Sequence, residues 1–184
     1  MPRSFIVALP EEVDYRTELQ GIPIHITGVG KVNAALGVQK LIHQGFDEII
    51  NIGSCGSLRH PVGSILSIGR VYQDIDCRPL CDYGLTPDEH DSLVVEIDPS
   101  SDHACFSTDY FYEQSHQSKY PPDYLGMISS SDAFDMELYP IAKACRLAGV
   151  RLQAFKWVSD DGDHSQWREN CRVALEHLLS THRF

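Results

Sequence analysis

Apolar residues fall in short runs separated by polar turns, and the runs follow two different spacings. Residues 4–9 ("SFIVAL"), 22–28 ("IPIHITG") and 47–54 ("DEIINIGS") are continuous apolar stretches of the length that forms buried strands. Between the last two, "KVNAALGVQKLIHQG" spaces its apolar residues for a helix and stops at Gly45. A strand–helix–strand order favours a parallel pair joined by a right-handed crossover. Further strands are expected over 64–75, 93–97, 103–109 and 124–131. "YPIAKACRLAGV" predicts a helix with Pro140 in its first turn, where proline is tolerated. "RLQAFKWVSD" (151–160) reads as the last strand, and "SQWRENCRVALEHLLSTH" (165–182) as a closing amphipathic helix capped by Ser165 or Asp163. Loops are expected over 77–92 and 116–124. Strands alternating with helices predict an α/β fold with a parallel or mixed sheet.

Bulk properties narrow the partners. The 184 residues suffice for one domain with a real core, taken as residues 1–184. An excess of 26 acidic over 15 basic residues argues against nucleic acid or an anionic membrane as the main partner. No apolar run approaches the ~20 residues of a membrane span. The opening "MPRSFIVALPEEVD" is too short in its apolar part for a signal peptide and turns acidic at once, so a soluble cytoplasmic protein is expected. The six cysteines, at 55, 77, 81, 105, 145 and 171, are then expected as reduced thiols, mostly small core residues. Cys77 and Cys81 form a CxxxC that no second cysteine pair answers, so no metal site is assigned.

Ligands of open α/β sheets sit at the carboxyl ends of the strands. Several polar clusters fall there: Glu11–Glu12, Ser54, Asp109 and Ser159–Asp160. Each has an ordinary reading beside a chemical one. "PEEV" (10–13) offers either surface charge at a helix start or a placed carboxylate. "GSCGS" (53–57) is either a tight turn or a loop whose N–H groups bind hydroxyls or anions. In "FDMEL" (134–138), Glu137 is either a dipole-stabilised first-turn carboxylate or an acceptor for a sugar diol. Phe111 and Tyr112 of "STDYFY" are either core residues or a stacking surface for a heterocyclic base. The acidic "SDDGD" after Val158 is either a capping turn or a held catalytic acid. "GVGK" (28–31) is no phosphate loop, because Val32 stands where Ser or Thr is needed and Asn33 where a dinucleotide fingerprint needs glycine.

Taken in order, "ALPEEV", "TGVGKVNAAL", "IINIGSCGSL", "STDYFY", "FDMEL" and "VSDDGD" resemble the nucleoside phosphorylase/nucleosidase superfamily, most of all its 5′-methylthioadenosine/S-adenosylhomocysteine nucleosidases. The resemblance runs from about residue 4 to the closing helix. It implies a three-layer α/β/α fold around a mixed, partly barrel-like sheet, no cofactor, a small nucleoside substrate, and a homodimer in which a neighbouring subunit closes the pocket. It implies hydrolysis of the N-glycosidic bond of an adenosine-type nucleoside. Glu12 would deprotonate the attacking water, and Asp160, after Ser159, would protonate the purine at N7. Met136 and Glu137 would hold the ribose, Phe111 would stack on the base with Tyr112 beside it, and Ser54 would lie at the third strand end. "SSDAF" (130–134) also looks like the stacking loop, but it runs straight into "DMEL" where the family keeps a spacer, so "STDYFY" is preferred.

The residue types suit that chemistry. Cleavage builds positive charge on the sugar and negative charge on the leaving base, so an acid near the base must hold its proton at neutral pH. Glutamates in "LPEEVDYR", and Asn51 in place of an arginine, disfavour phosphate as the nucleophile. The alternatives are a phosphorylase using Arg3, Arg16 or Arg59, and a non-catalytic nucleoside-binding homologue. Departures from the family pattern are a short chain, an apparently missing hairpin between Val13 and Ile24, Lys156 in place of an arginine, and Asp135 in place of a glutamate.

Overall fold

The computed structural model describes residues 2–87 and 92–184, so part of the loop expected over 77–92 lies outside the described residues. The chain runs β1 (Arg3–Val7), a 3₁₀ helix (Pro10–Val13), β2 (Glu18–Leu19), β3 (Ile22–Ile26), α1 (Lys31–His43), β4 (Glu48–Gly56), β5 (Ile65–Ser67) and β6 (Arg70–Gln73). It continues through β7 (Val95–Glu96), β8 (Ala104–Ser107), a 3₁₀ helix (Gln114–Lys119), α2 (Pro122–Ser130), β9 (Ala133–Asp135), α3 (Leu138–Ala148), β10 (Arg151–Asp160) and α4 (Trp167–Thr181).

The strands form one mixed sheet in the order β2-β3-β1-β4-β9-β8-β6-β7, with β10 joining β4 to β5. The strands β3 and β4 flanking α1 are parallel, as expected, but β1 lies between them. On its other side β4 runs parallel to β10, and at its end Gly56 meets Phe134 of β9. Because β5 pairs with β10 while β6 leads through β8 and β9 back to β4, the sheet curls into a partly closed barrel.

Side-chain alternation assigns the layers. Phe5, Val7, Ile50 and Ile52 point to α4, where Cys171, Ala174, Leu175 and Leu178 cover them. Ile6 and Ile49 point the other way, onto Ala34, Val38 and Leu41 of α1 and Ile141 and Cys145 of α3. A further core of Cys55, Leu66, Ile68, Val71, Cys105 and Leu138 fills the curl. All six cysteines are free, and four of them are buried. Burial pushes the Cys145 and Cys171 thiols up to about 12. No helix among the described residues is long and apolar enough to cross a membrane.

Four expectations are corrected. Residues 124–131 are not a strand: Pro122 opens helix α2, and Tyr124 and Ile128, one turn apart, are its buried face. The strand of that region is the short β9. The strand expected over 64–75 breaks at Gly69, where an added Cβ would lie 1.9 Å from the Ser101 carbonyl oxygen. The "missing" hairpin is present in minimal form, β2 and β3 joined through Gln20 and Gly21, both with positive φ. Finally, neither Ser165 nor Asp163 caps α4. Gln166 holds the cap position, and Asp163 Oδ1 instead accepts the Ser165 N–H at 3.0 Å.

Candidate active site

A cavity of about 350 Å³ opens at the carboxyl ends of β1, β4 and β10, within the usual size range of small-molecule sites. It is lined by all eight residues singled out from the sequence: Glu12, Ser54, Phe111, Tyr112, Met136, Glu137, Ser159 and Asp160. Glu11 and Asp109 do not line it.

Glu12 is buried, so the surface reading of "PEEV" fails for it. The 3₁₀ helix after β1 turns its carboxylate back onto β4. Oε2 accepts the Leu9 N–H at 3.0 Å, and Oε1 accepts both the Ser54 N–H at 2.7 Å and the Ser54 hydroxyl at 2.6 Å. The "GSCG" segment is therefore not a loop. It continues β4 to Gly56, paired with β10 throughout. Its glycines make room: a Cβ on Gly53 would lie 3.1 Å from Glu12 Oε1, and one on Gly56 would lie 2.0 Å from the Phe134 ring. The Ser54 N–H that the loop reading offered to a ligand is taken instead by the protein's own Glu12.

Asp160 ends β10 beside a bulge. Val158 pairs with Cys55 and Asp160 with Gly56, leaving Ser159 as the extra residue. Such bulges re-aim side chains at sheet ends. Asp160 Oδ1 accepts the Gly162 N–H at 3.0 Å, and Oδ2 lies 2.7 Å from the Ser159 hydroxyl. That hydroxyl is also 3.1 Å from the Cys55 carbonyl oxygen. It has a single proton, which it gives either to Cys55 or to Asp160 Oδ2.

Glu137 occupies the cap position of α3, is buried, and accepts the Gly30 N–H at 2.8 Å. This contact accounts for "GVGK": Gly28 and Gly30 adopt positive φ, and the turn they make presents an N–H to a carboxylate rather than to a phosphate. Burial, and then the charge of Asp135, raise the Glu137 carboxyl to about 7; the Lys156 charge and the Gly30 hydrogen bond oppose them.

Beneath Glu137, Lys156 Nζ lies 2.7 Å from Asp135 Oδ2, both side chains almost wholly buried. Asp135 also accepts from the Ser107 hydroxyl at 2.5 Å and the Leu138 N–H at 2.9 Å. Burial alone would discharge Lys156, but Asp135 and Glu137 more than offset it and hold the ammonium charged. Two departures from the family pattern thus meet as one ion pair.

The two aromatics differ. Phe111 is 61% exposed on the loop after β8, with its ring 4.1 Å from that of His164. Tyr112 is buried and packs edge-on against Phe134, centroids 5.3 Å apart, so it is a core residue whose edge reaches the cavity. Phe134, from the rival "SSDAF" stretch, also lines the cavity, but from strand β9. Met136 is half-buried in the wall.

Several further residues line the cavity that the sequence did not single out. Leu9 and Val29 sit inside motifs already quoted and look like ordinary apolar residues. Trp167, at the start of α4, donates its indole N–H to the Ser54 hydroxyl at 3.1 Å, so it buttresses the serine that holds Glu12. Nearby, Asn170 donates to the Ser159 carbonyl at 2.7 Å. His164 also lines the cavity; the only signal for it was its place in the acidic run. Among the described residues, no arginine or lysine lines the cavity. Arg16 pairs with Glu176, and Arg59 with Asp132 and the Ser130 carbonyl. No group of three or more His, Cys, Asp or Glu among the described residues is arranged to hold a metal ion.

A partly curled mixed sheet between helical layers, with carboxylates at its strand ends, defines the nucleoside phosphorylase-like class of α/β proteins. The chain belongs to the phosphorylase superfamily, whose family model matches residues 12–180. A 5′-methylthioadenosine/S-adenosylhomocysteine nucleosidase of Exiguobacterium sp. (strain ATCC BAA-1283 / AT1b) is 29% identical over 175 residues, covering 84% of this chain and 72% of the relative. The nucleosidase of that name from Helicobacter pylori, solved with butyl-thio-DADMe-Immucillin-A, superimposes with a TM-score of 0.79 at 18% identity, covering 97% of this chain and 96% of that one. Futalosine hydrolase of the same organism gives a TM-score of 0.76 at 19% identity, covering 97% and 92%. At these identities the structural likeness is one of fold.

Proposed function

We propose that the protein is a purine nucleosidase, hydrolysing the N-glycosidic bond of an adenosine-type nucleoside such as 5′-methylthioadenosine or S-adenosylhomocysteine. The observation that carries this reading is a cavity with Glu12, from the 3₁₀ helix after β1, and Asp160, at the end of β10, on either side of β4, and no arginine or lysine lining it among the described residues. Glu12, held by three donors, orients water and takes its proton. Asp160 protonates the base as the C1′–N bond breaks. Glu137 accepts from the ribose hydroxyls and stabilises the cationic sugar, with Met136 against the ring. Phe111, exposed at the mouth, stacks on the base. Ser54 and Ser159 hold the two carboxylates. The pairing parallels the acid and base of glycosidases, with nitrogen as the leaving atom.

The absence of a lining arginine or lysine among the described residues favours water over phosphate, which needs cationic partners. The kinship with named nucleosidases supports the same choice. The residues act as a single catalytic domain. The six free cysteines fit a cytoplasmic location. A homodimer is part of this reading: Val29, at the cavity rim, is followed by Val32 and Leu36, 74% and 67% exposed on the outer face of α1. Sedimentation should give twice the 20.7 kDa chain mass, and Leu36→Glu should halve it.

The test is base release from a panel of methylthioadenosine, S-adenosylhomocysteine, adenosine and inosine, with the sugar product identified. Free sugar formed without phosphate supports the reading. A sugar 1-phosphate, formed only with phosphate, would make the protein a phosphorylase. Tight binding without release would make it a non-catalytic nucleoside-binding protein.

A further inference from the structure

His164 sits where the mechanism above gives it no task. Its Nε2 lies 3.0 Å from the Tyr112 carbonyl oxygen. A carbonyl only accepts, so Nε2 carries hydrogen. Its Nδ1 is buried and makes no hydrogen bond among the described residues, yet lies 3.3 Å from Asp160 Oδ1. A neutral ring of this tautomer turns a lone pair toward the carboxyl. A lone pair and a carboxylate oxygen repel at that distance, unless one proton lies between them. The pair therefore holds a shared proton, as a carboxylic acid facing imidazole or as imidazolium facing carboxylate. The ring is fixed for this exchange by Tyr112 and by the Phe111 ring, inclined at 39°. It is also more open to solvent than its partner, 21% against 5% for the side chains.

We propose that His164 is the positioning residue of Asp160 and returns the proton that Asp160 gives to the base, an inference that rests on the nucleosidase reading. As the C1′–N9 bond breaks, its electron pair passes to the purine, whose N7 takes the Asp160 proton. The pair is then carboxylate facing neutral imidazole; solvent charges His164 to imidazolium, and its Nδ1 proton passes to Asp160, leaving the ring neutral with Nε2–H on Tyr112. Water adds its oxygen to C1′ and gives a proton to Glu12. Solvent removes that proton, matching the one it supplied through His164, so the cycle closes without net gain or loss. The charged groups around the ring are few. β10 presents Asp160, and the segment after β8 presents only the Phe111 ring and the Tyr112 carbonyl. On its own turn Asp163 interacts with the ring electrostatically, and Asp161 interacts with the Tyr112 phenol. Arg168 and Glu169 share the outer cleft, Glu169 being paired with Arg172 at 2.6 Å.

Two measurements on the full chain test this. Long-range proton–nitrogen NMR of the histidine rings, with His164 assigned by its loss in His164→Gln, should show Nε2 protonated; a neutral Nδ1–H form would overturn the proposal whatever the activity. For methylthioadenosine cleavage, His164→Gln and His164→Ala should lower kcat about 10- to 100-fold with KM nearly unchanged. The wild-type basic limb of kcat should disappear in both variants, and added imidazole should partly restore His164→Ala. Both variants within twofold of wild type across pH 5–9, or a loss confined to KM, would reduce His164 to a space-filling residue and sink the proposal. A wild type that shows the Nε2–H form but releases no base would defeat the nucleosidase reading, and the proton-return role with it. An Nδ1–H ring in an active enzyme would defeat the proposal alone.

Discussion

Replacing Lys156 by Met removes the ammonium that pairs with Asp135 and keeps most of the side-chain volume. Lys156 is 2% exposed and pairs with Asp135 at 2.7 Å. Deleting one member of a buried pair costs about 3–5 kcal/mol, because the other is left uncompensated. Asp135 retains the Ser107 hydroxyl, the Leu138 N–H and the weak Cys105 thiol as donors, so the lower end, about 3 kcal/mol, is expected. At a urea slope of about 2 kcal/mol/M the unfolding midpoint should fall by about 1.5 M. The same change removes the charge that opposes protonation of Glu137, so Glu137 should titrate higher than its present value of about 7. Adding Asp135→Asn should recover part of the loss, with a coupling of about 1–3 kcal/mol in the double-mutant cycle. Urea unfolding followed by tryptophan fluorescence reads all four proteins of the cycle: wild type, Lys156→Met, Asp135→Asn and the double variant. A midpoint for Lys156→Met within 0.5 M of wild type, or strictly additive losses, would refute the assignment of a stabilising buried pair.

Glu137 makes stability depend on pH in a fixed direction. Its carboxyl is raised in the folded state from 4.5 to about 7, so folding favours the protonated form. That contribution is present in full below the unfolded value and is lost as pH rises through about 7. The urea midpoint should accordingly fall over this window, and Glu137→Gln should flatten the slope. Gly53→Ala puts a methyl 3.1 Å from Glu12 Oε1, so base release should drop at least tenfold while the thermal midpoint moves little. Gly56→Ala would place its Cβ 2.0 Å from the Phe134 ring and should cost about 1–3 kcal/mol by overpacking, read in a melt. Ser54→Ala removes a hydroxyl donor from Glu12 and an acceptor from Trp167, which should lower kcat and blue-shift the Trp167 emission.

The central strands and both long helices were legible in the sequence because their apolar runs are buried on both faces or spaced for one face. The cavity's carboxylates were legible in part because Glu12 and Asp160 each follow an apolar run. What stayed hidden depended on tertiary contacts. Residues 124–131 are apolar enough for either element, and only the packing of Tyr124 and Ile128 onto Phe106 and Phe134 selects a helix. "GSCGS" looked like a turn because small residues suggest one. Here they are small so that Glu12 and Phe134 can lie against a strand. Trp167 and His164 were hard to single out because their contacts with Ser54 and Tyr112 span 113 and 52 residues of chain.

The most direct test of the central claim is adenine release from methylthioadenosine by wild type, Glu12→Gln and Asp160→Asn, each with and without phosphate. Phosphate-independent release that falls at least 100-fold in both variants is the predicted result. Release that survives either substitution, or that requires phosphate, would contradict a hydrolase built on this pair of carboxylates.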